Sequence, residues 1–300
     1  MNTVPRARLF RRDDRDQLTD LVNAHLSSVI PGARVSVNAV LSSLERQPDE
    51  YIVDPWVVER ATIVVEQGER IVAAAHLQRF AEHPRVSDDY RGAGLIQWAL
   101  SVPGDDGGDP AAETLMRACL AQLRAWAVTT AYADGQLPFP GVYGIPASWP
   151  HVRRSLEGAG FSHDGPTEVV LLATTSGLAS IADPPAASDV ASTRELGAHG
   201  IRFIATRDGE TAGYVEVDLT VNRAERHSAG PRFAELSDWE ADDADVLVRL
   251  FGDLHEWLTS SDVARLIVAV DPADADECEQ LFGLGFREVT STTRGWRRQL

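Results

Sequence analysis

Three hundred residues carry 45 acidic and 28 basic side chains, a net charge of −17, and not one of the basic residues is lysine. The missing lysine excludes a Walker phosphate loop, Schiff-base chemistry and Ser-Lys catalysis, and the strong acidity argues against a nucleic-acid partner, whose recognition begins with phosphate neutralisation. A hydrophobic content of 44% with 24% charged residues predicts a packed core, and the length predicts about two domains. The N-terminal stretch MNTVPRARLFRRDDRDQ has no apolar run behind it, and no segment reaches the ~18 apolar residues of a spanning helix, so we expect a cytoplasmic chain without membrane contact. Cys119 and Cys278 fall in helical patterns and are expected to be buried thiols.

Arg6–Arg11 reads as a short edge strand. Asp13 and Asp14 stand where an N-cap belongs, ahead of a helix over Arg15–Val29 with Leu18, Leu21, Val22 and Leu26 on one face. Pro31-Gly32 stops it, and Val37–Arg46 is a second short helix. Val57–Val65 and Arg70–Arg79 are strands around Gln67-Gly68-Glu69, with Gly68 at the positive-φ position of a tight hairpin. Gly94–Val102, almost wholly apolar, is a central strand. The loop PGDDGGDP leads into an amphipathic helix over Ala111–Trp126, and Thr129–Ala133 is a short strand. The next helix, Trp149–Glu157, takes Pro150 in its first turn, where a missing N–H costs nothing. Gly158 and Gly160 stop it, Phe161 returns to the core, and Thr167–Leu172 is a strand.

Thr174–Thr193 is rich in Pro, Ala and Ser and has no period. It reads as a linker between a first domain over 1–173 and a second over 194–300. The second domain repeats the order. Ile201–Arg207 and Thr211–Thr220 flank the hairpin dipeptide Asp208-Gly209. Then come a strand at Phe233–Leu236, a helix at Val246–Leu258, a strand at Arg265–Asp271, a helix at Asp276–Phe282 and a closing strand at Phe286–Arg294. Leu156-Glu157-Gly158-Ala159-Gly160-Phe161 returns as Leu281-Phe282-Gly283-Leu284-Gly285-Phe286. The chain is therefore two versions of one unit, the second without the opening helices.

This order, with LEGAGF at 156–161 and LFGLGF at 281–286, resembles the GNAT N-acetyltransferase superfamily and its tandem members in particular. The resemblance implies an α/β fold of two tandem GNAT-like domains, each a mixed, mostly antiparallel sheet flanked by helices. It implies transfer of an acetyl group from acetyl-CoA to an amine of a small molecule or peptide. In this fold the CoA pyrophosphate meets the N-terminus of the long helix after the central strand, where free N–H groups and the helix dipole favour anions. The pantetheine arm enters where the central strand and the next one splay. Carried onto this sequence, the cofactor residues are Leu100, Val102, Gly107, Gly108, Ala111, Ala112, Glu113 and Thr114.

The family's loop pattern, Arg/Gln-x-x-Gly-x-Gly/Ala, is met only at Ala112; Gly107 stands for the Arg/Gln and Pro110 for a glycine. Asp105, Asp106 and Asp109 are alternative caps for the helix. In the second domain three aspartates, Asp242, Asp243 and Asp245, face where phosphates would sit, which argues against a second CoA site. The tyrosine that many members carry before the Gly-Phe is replaced by Leu156 and Leu281. The catalytic candidates are Tyr143 and His151, with Glu235 in the second domain; Tyr132 and Asp134 lie near the first two. An imidazole at His151 suits acceptance of a proton from an ammonium. The plain alternatives are a surface histidine at a helix start, a packed tyrosine and a solvated carboxylate. No His or Cys spacing suggests a metal. A second function stays open, a non-catalytic GNAT-like binding or assembly module that has lost the cofactor loop, and a homodimer is compatible with either.

Overall fold

A computed structural model describes residues 4–45, 56–103, 109–139, 143–178, 189–218 and 232–300. The chain divides into two compact units: Met1–Thr167 with Ser291–Leu300, and Glu168–Thr290.

The first unit opens with β1 (Arg6–Leu9), α1 (Arg15–Val29) and α2 (Val37–Leu44). Leu18, Val22 and Leu26 of α1 are wholly buried, as their helical spacing dictates. Asp14 works differently from a cap. Its carboxylate takes two hydrogen bonds from Arg8, at 2.6 and 2.9 Å, and one from the Arg11 N–H at 2.7 Å, so it ties β1 to the entry of α1. Ser36 does cap α2, accepting from the Ala39 N–H. β2 (Val57–Gln67) and β3 (Arg70–Phe80) form the expected hairpin, and Gly68 turns it with φ at +66°. β4 (Gly94–Ser101), α3 (Pro110–Ala125), β5 (Thr130–Ala133), β6 (Ile145–Pro146), α4 (Pro150–Gly158) and β7 (Ser162–His163) follow.

The second unit holds β8 (Thr167–Thr174), α5 (Thr175–Leu178), β9 (Ala191–Leu196), β10 (Ile201–Arg207), β11 (Glu210–Asp218), β12 (Phe233–Ala241), α6 (Ala244–Ser260), β13 (Arg265–Val270), α7 (Ala275–Gly283) and most of β14 (Arg287–Thr293). Asp208 and Gly209 turn the β10–β11 hairpin with φ at +53° and +84°, the paired left-handed residues of a tight turn. Its strands run in the order β14-β8-β13-β12-β11-β10-β9. Leu171, Val215, Leu250, Leu254, Leu266 and Leu281 meet in one core.

Two expectations need correction. The stretch expected as a linker is structured at both ends, as α5 and β9; 179–188 lie outside the described residues. The expected bounds 1–173 and 194–300 do not follow the units. The apolar strand β8 pairs antiparallel with β13 from Thr174↔Arg265 to Val169↔Val270, inside the second unit. In its place the chain's last strand, β15 (Trp296–Gln299), joins the first sheet between β5 and β7, completing the order β1-β2-β3-β4-β5-β15-β7. The reason is burial. Trp296 is 1% exposed, its indole N–H donates to the Thr293 carbonyl, and its ring lies 4.7 Å from that of His163. No helix among the described residues is long and apolar enough to cross a membrane.

Candidate functional site

The first unit's central strand has one irregularity that governs the site. His76 of β3 pairs with Trp98 and Leu77 with Ile96, so Gln97 is an extra residue, a β-bulge in β4. On the other edge β5 runs parallel to β4 only over Gly94–Ile96. The chain after β5 keeps contact for two more bonds, Asp134 N–H to the Ile96 carbonyl and Gln136 N–H to the Gln97 carbonyl, and then departs. Among the described residues no strand pairs with Trp98–Ser101 on that side. The expected splay is therefore present, and it begins at the bulge. The second unit repeats it. β12 pairs with β13 only over Phe233–Glu235, and Ser237 is its extra residue against β11.

The start of α3 differs from expectation. Its N–H groups were expected to be free for phosphate, but Asp109 caps them: one carboxylate oxygen accepts from the Ala111 and Ala112 N–H groups at 3.1 and 2.9 Å, and the other from the Ser101 hydroxyl at 2.7 Å. The Glu113 N–H reaches the Asp109 carbonyl, Pro110 has no N–H to give, and Thr114 falls inside the helical ladder. Ala111, Ala112, Glu113 and Thr114 thus offer no unengaged backbone donor here. Gly107 and Gly108 lie outside the described residues. Val102 is exposed with its N–H bonded to the Val72 carbonyl, and Leu100 is buried.

Beside this helix end a groove of about 650 Å³ runs between α3 and α4. Arg117, Arg154 and Arg298 line it, together with Asp109, Glu113 and His151. Arg117 and Arg154 have no ion-pair partner among the described residues, while Arg298 donates to the Ala159 carbonyl. The groove borders an apolar slot that shares Met116 and Ser155 with it and reaches Leu100, Leu115 and Val152. The slot's free volume is about 10 Å³, too little for one water.

His151 stands at the first turn of α4, at the edge of the groove, and it is not alone. Its Nε2 lies 3.0 Å from Nε2 of His25 on α1. His25 is buried, its Nδ1 2.9 Å from the Leu21 carbonyl, and burial pushes its pKa down to about 4. Burial also lowers His151, opposed by the Asp109 carboxylate and helped by Arg154. Trp149 locks the pair in place: its indole N–H donates to the His25 carbonyl and to the Ser28 hydroxyl, and its ring meets that of His25 edge-on at 5.5 Å.

The other sequence candidates lie elsewhere. Tyr143 packs under the Arg294 guanidinium, 5.4 Å from its ring centre. Tyr132 donates its hydroxyl to the Asp89 carbonyl, and Asp134 accepts from the Gly135 and Gly144 N–H groups; both hold loops. Glu235 belongs to β12 of the second unit, so no single unit holds it with His151. In the second unit the corresponding positions are closed. Asp243 caps the Val246 N–H and pairs with Arg207, and the Trp239 indole donates to Glu277, joining β12 to α7 across the splay. Sequence reasoning missed His25, Arg117, Arg154 and Arg298. His25 carried no signal beyond a place on the buried stripe of α1. Of the two cysteines, Cys119 is fully buried with its thiol pushed up to about 12, and Cys278 is half-buried.

No protein-family model and no curated protein matches the chain. Solved structures do. A tandem GNAT protein from the clavulanic acid biosynthesis pathway superposes with a TM-score of 0.64 at 17% identity, covering 98% of each chain. The glucosamine N-acetyltransferase region of a fungal multi-domain β-N-acetylglucosaminidase gives 0.60 at 13% identity, over 99% of this chain and 38% of that one. A Drosophila protein gives 0.51 at 10% identity over 99% of both. At these identities the likeness is one of fold: two GNAT folds in tandem.

Proposed function

We propose, from the premise that the chain carries two GNAT folds in tandem, that its first unit is an N-acyltransferase moving an acetyl group from acetyl-CoA to an amine of a small molecule or peptide. One observation carries this reading: β5 leaves β4 at the Gln97 bulge, and beyond it an apolar slot lined by Ala99, Leu100 and Ser101 of β4 adjoins an arginine-lined groove through Met116 and Ser155. The groove fits the anionic end of the cofactor, with Arg117, Arg154 and Arg298 as phosphate partners. The slot beside it is apolar, as a pantetheine arm requires, and Leu115, Met116 and Val152 must yield to admit one. The capped end of α3 does not fit a phosphate while Asp109 is ionised and bonded there. When bound, the cofactor supplies an activated thioester. The chain's own contribution is to hold the acceptor and take its proton, and His151, kept neutral by burial, is the group in the groove suited to do so. An amine stripped of its proton is already a nucleophile, so positioning accounts for most of the rate.

Asp109 favours a second reading, a GNAT-like binding module whose cofactor loop has closed on itself. Calorimetry with CoA separates them, followed by an amine screen with labelled acetyl-CoA. Micromolar CoA binding that weakens about fivefold in Arg154→Ala, together with label on an amine, supports the transferase. No binding at millimolar CoA refutes it.

A further inference from the structure

We propose that His25 is a positioning residue that holds His151 in its Nε2–H tautomer, so that Nδ1 of His151 is the nitrogen left to accept a proton. The inference rests on the reading of His151 given above and adds a residue to it.

The hydrogen-bond chain fixes the protons. A carbonyl oxygen can only accept, so the 2.9 Å contact between Nδ1 of His25 and the Leu21 carbonyl requires a hydrogen on Nδ1. A buried, neutral His25 then has a lone pair on Nε2. That lone pair lies 3.0 Å from Nε2 of His151, so this second nitrogen carries the hydrogen of the bond. In a neutral His151 the remaining lone pair is therefore on Nδ1. The His25 ring is held in place. Trp149 holds the backbone of His25 by its indole N–H and packs edge-on against the ring, and α4 begins at the next residue.

The arrangement has the logic of a base oriented by a second group, with one difference. A carboxylate in the orienting place would raise the base; an imidazole orients it without adding charge. The groups around His151 are His25 on α1, Asp109 at the start of α3 and Arg154 one turn along α4, and the Ser101 carbonyl lies close to both rings. A proton from the acceptor ammonium goes to Nδ1, the amine keeps its electron pair, and the imidazolium retains its Nε2–H bond to His25.

The test is nitrogen NMR on the full chain with labelled histidine, read near neutral pH, alongside acetyl transfer. The expected spectrum has His151 as the Nε2–H tautomer. In His25→Leu, which nearly preserves volume, His151 becomes a tautomer mixture and kcat falls about tenfold or more while KM for acetyl-CoA holds within about twofold. In His25→Gln the side-chain oxygen can still accept, and both tautomer and kcat return towards the wild type. Cooperative thermal unfolding of each variant secures the comparison. A wild-type His151 in the Nδ1–H form, or a tautomer indifferent to His25→Leu, overturns the positioning role even if transfer is intact. The expected tautomer with no acetyl transfer to any amine overturns the acyltransferase reading, and the role with it.

Discussion

Replacing Asp109 with glycine should tighten CoA binding, because it removes a charge and frees donors at the same place. The carboxylate occupies the Ala111 and Ala112 N–H groups, and Asp109 lines the groove with its three arginines. A carboxylate ~7 Å from a phosphate, at an effective dielectric of ~20, repels it by about 2 kcal/mol. That is roughly thirtyfold in Kd. The fold pays little for the change. A glycine N-cap costs a few tenths of a kcal/mol, and the buried Ser101 hydroxyl loses its acceptor at about 1 kcal/mol. Together these lower the melting temperature by about 2–6 °C for a unit of this size. Calorimetric titration with CoA at ~0.1 M salt reads the affinity. Asp109→Asn is the control: it can still cap, so it isolates charge from freed donors. An unchanged or weaker affinity in Asp109→Gly would mean that phosphate never approaches the start of α3, and the argument from the cap would fail.

Three other outcomes follow from the same structure. Arg117→Ala and Arg154→Ala should each weaken CoA about fivefold and flatten the salt dependence of Kd, since surface charge pairs are worth up to about 1 kcal/mol and are screened; titrations at two salt concentrations check it. Stability should fall as pH drops from 7 to 5. His25 is held near 4 and His76, buried against Arg60, near 3, both below the 6.5 of the unfolded chain. Below 6.5 the unfolded state takes up protons that the folded state refuses, so each histidine costs about 2 kcal/mol by about pH 5, and urea unfolding across that range should be shallower in His25→Gln. Trp296→Ala should cost about 3–5 kcal/mol and raise hydrogen exchange along β5 and β7, its sheet neighbours, while leaving the β10–β11 hairpin protected.

Local rules carried most of the elements. The helix over Arg15–Val29 has the bounds its spacing predicts, and both hairpins turn at the residues with positive φ. The aspartates before α3 were legible as caps, and Asp109 is one. What failed was partnership. Thr167–Thr174 is a good strand on its own terms, and nothing in its composition says which sheet it enters. Trp296–Gln299 is a four-residue strand with two adjacent arginines, too short and too polar to stand out, and it is a strand only because β5 and β7 leave a gap for it. His25 and His151 are 126 positions apart, so only the fold, which brings the first turn of α4 to the side of α1, makes them a pair. The groove arginines come from three elements for the same reason. Periodicity reports what a segment is; it is silent on which segments meet.

The place of β15 sets an order on the making of the molecule. The first sheet lacks a strand between β5 and β7 until the ribosome has translated to Gln299, after the whole of the second unit. A nascent chain usually folds from its N-terminus forward. Here the early half must wait, with the place between β5 and β7 open, for Trp296–Gln299 to emerge. Arg298 arrives with them, so the groove acquires its third arginine only after the second unit has been made. A message truncated within the second unit yields a chain whose groove holds only two of its three arginines, which ties the charge of that groove to translation beyond the second unit.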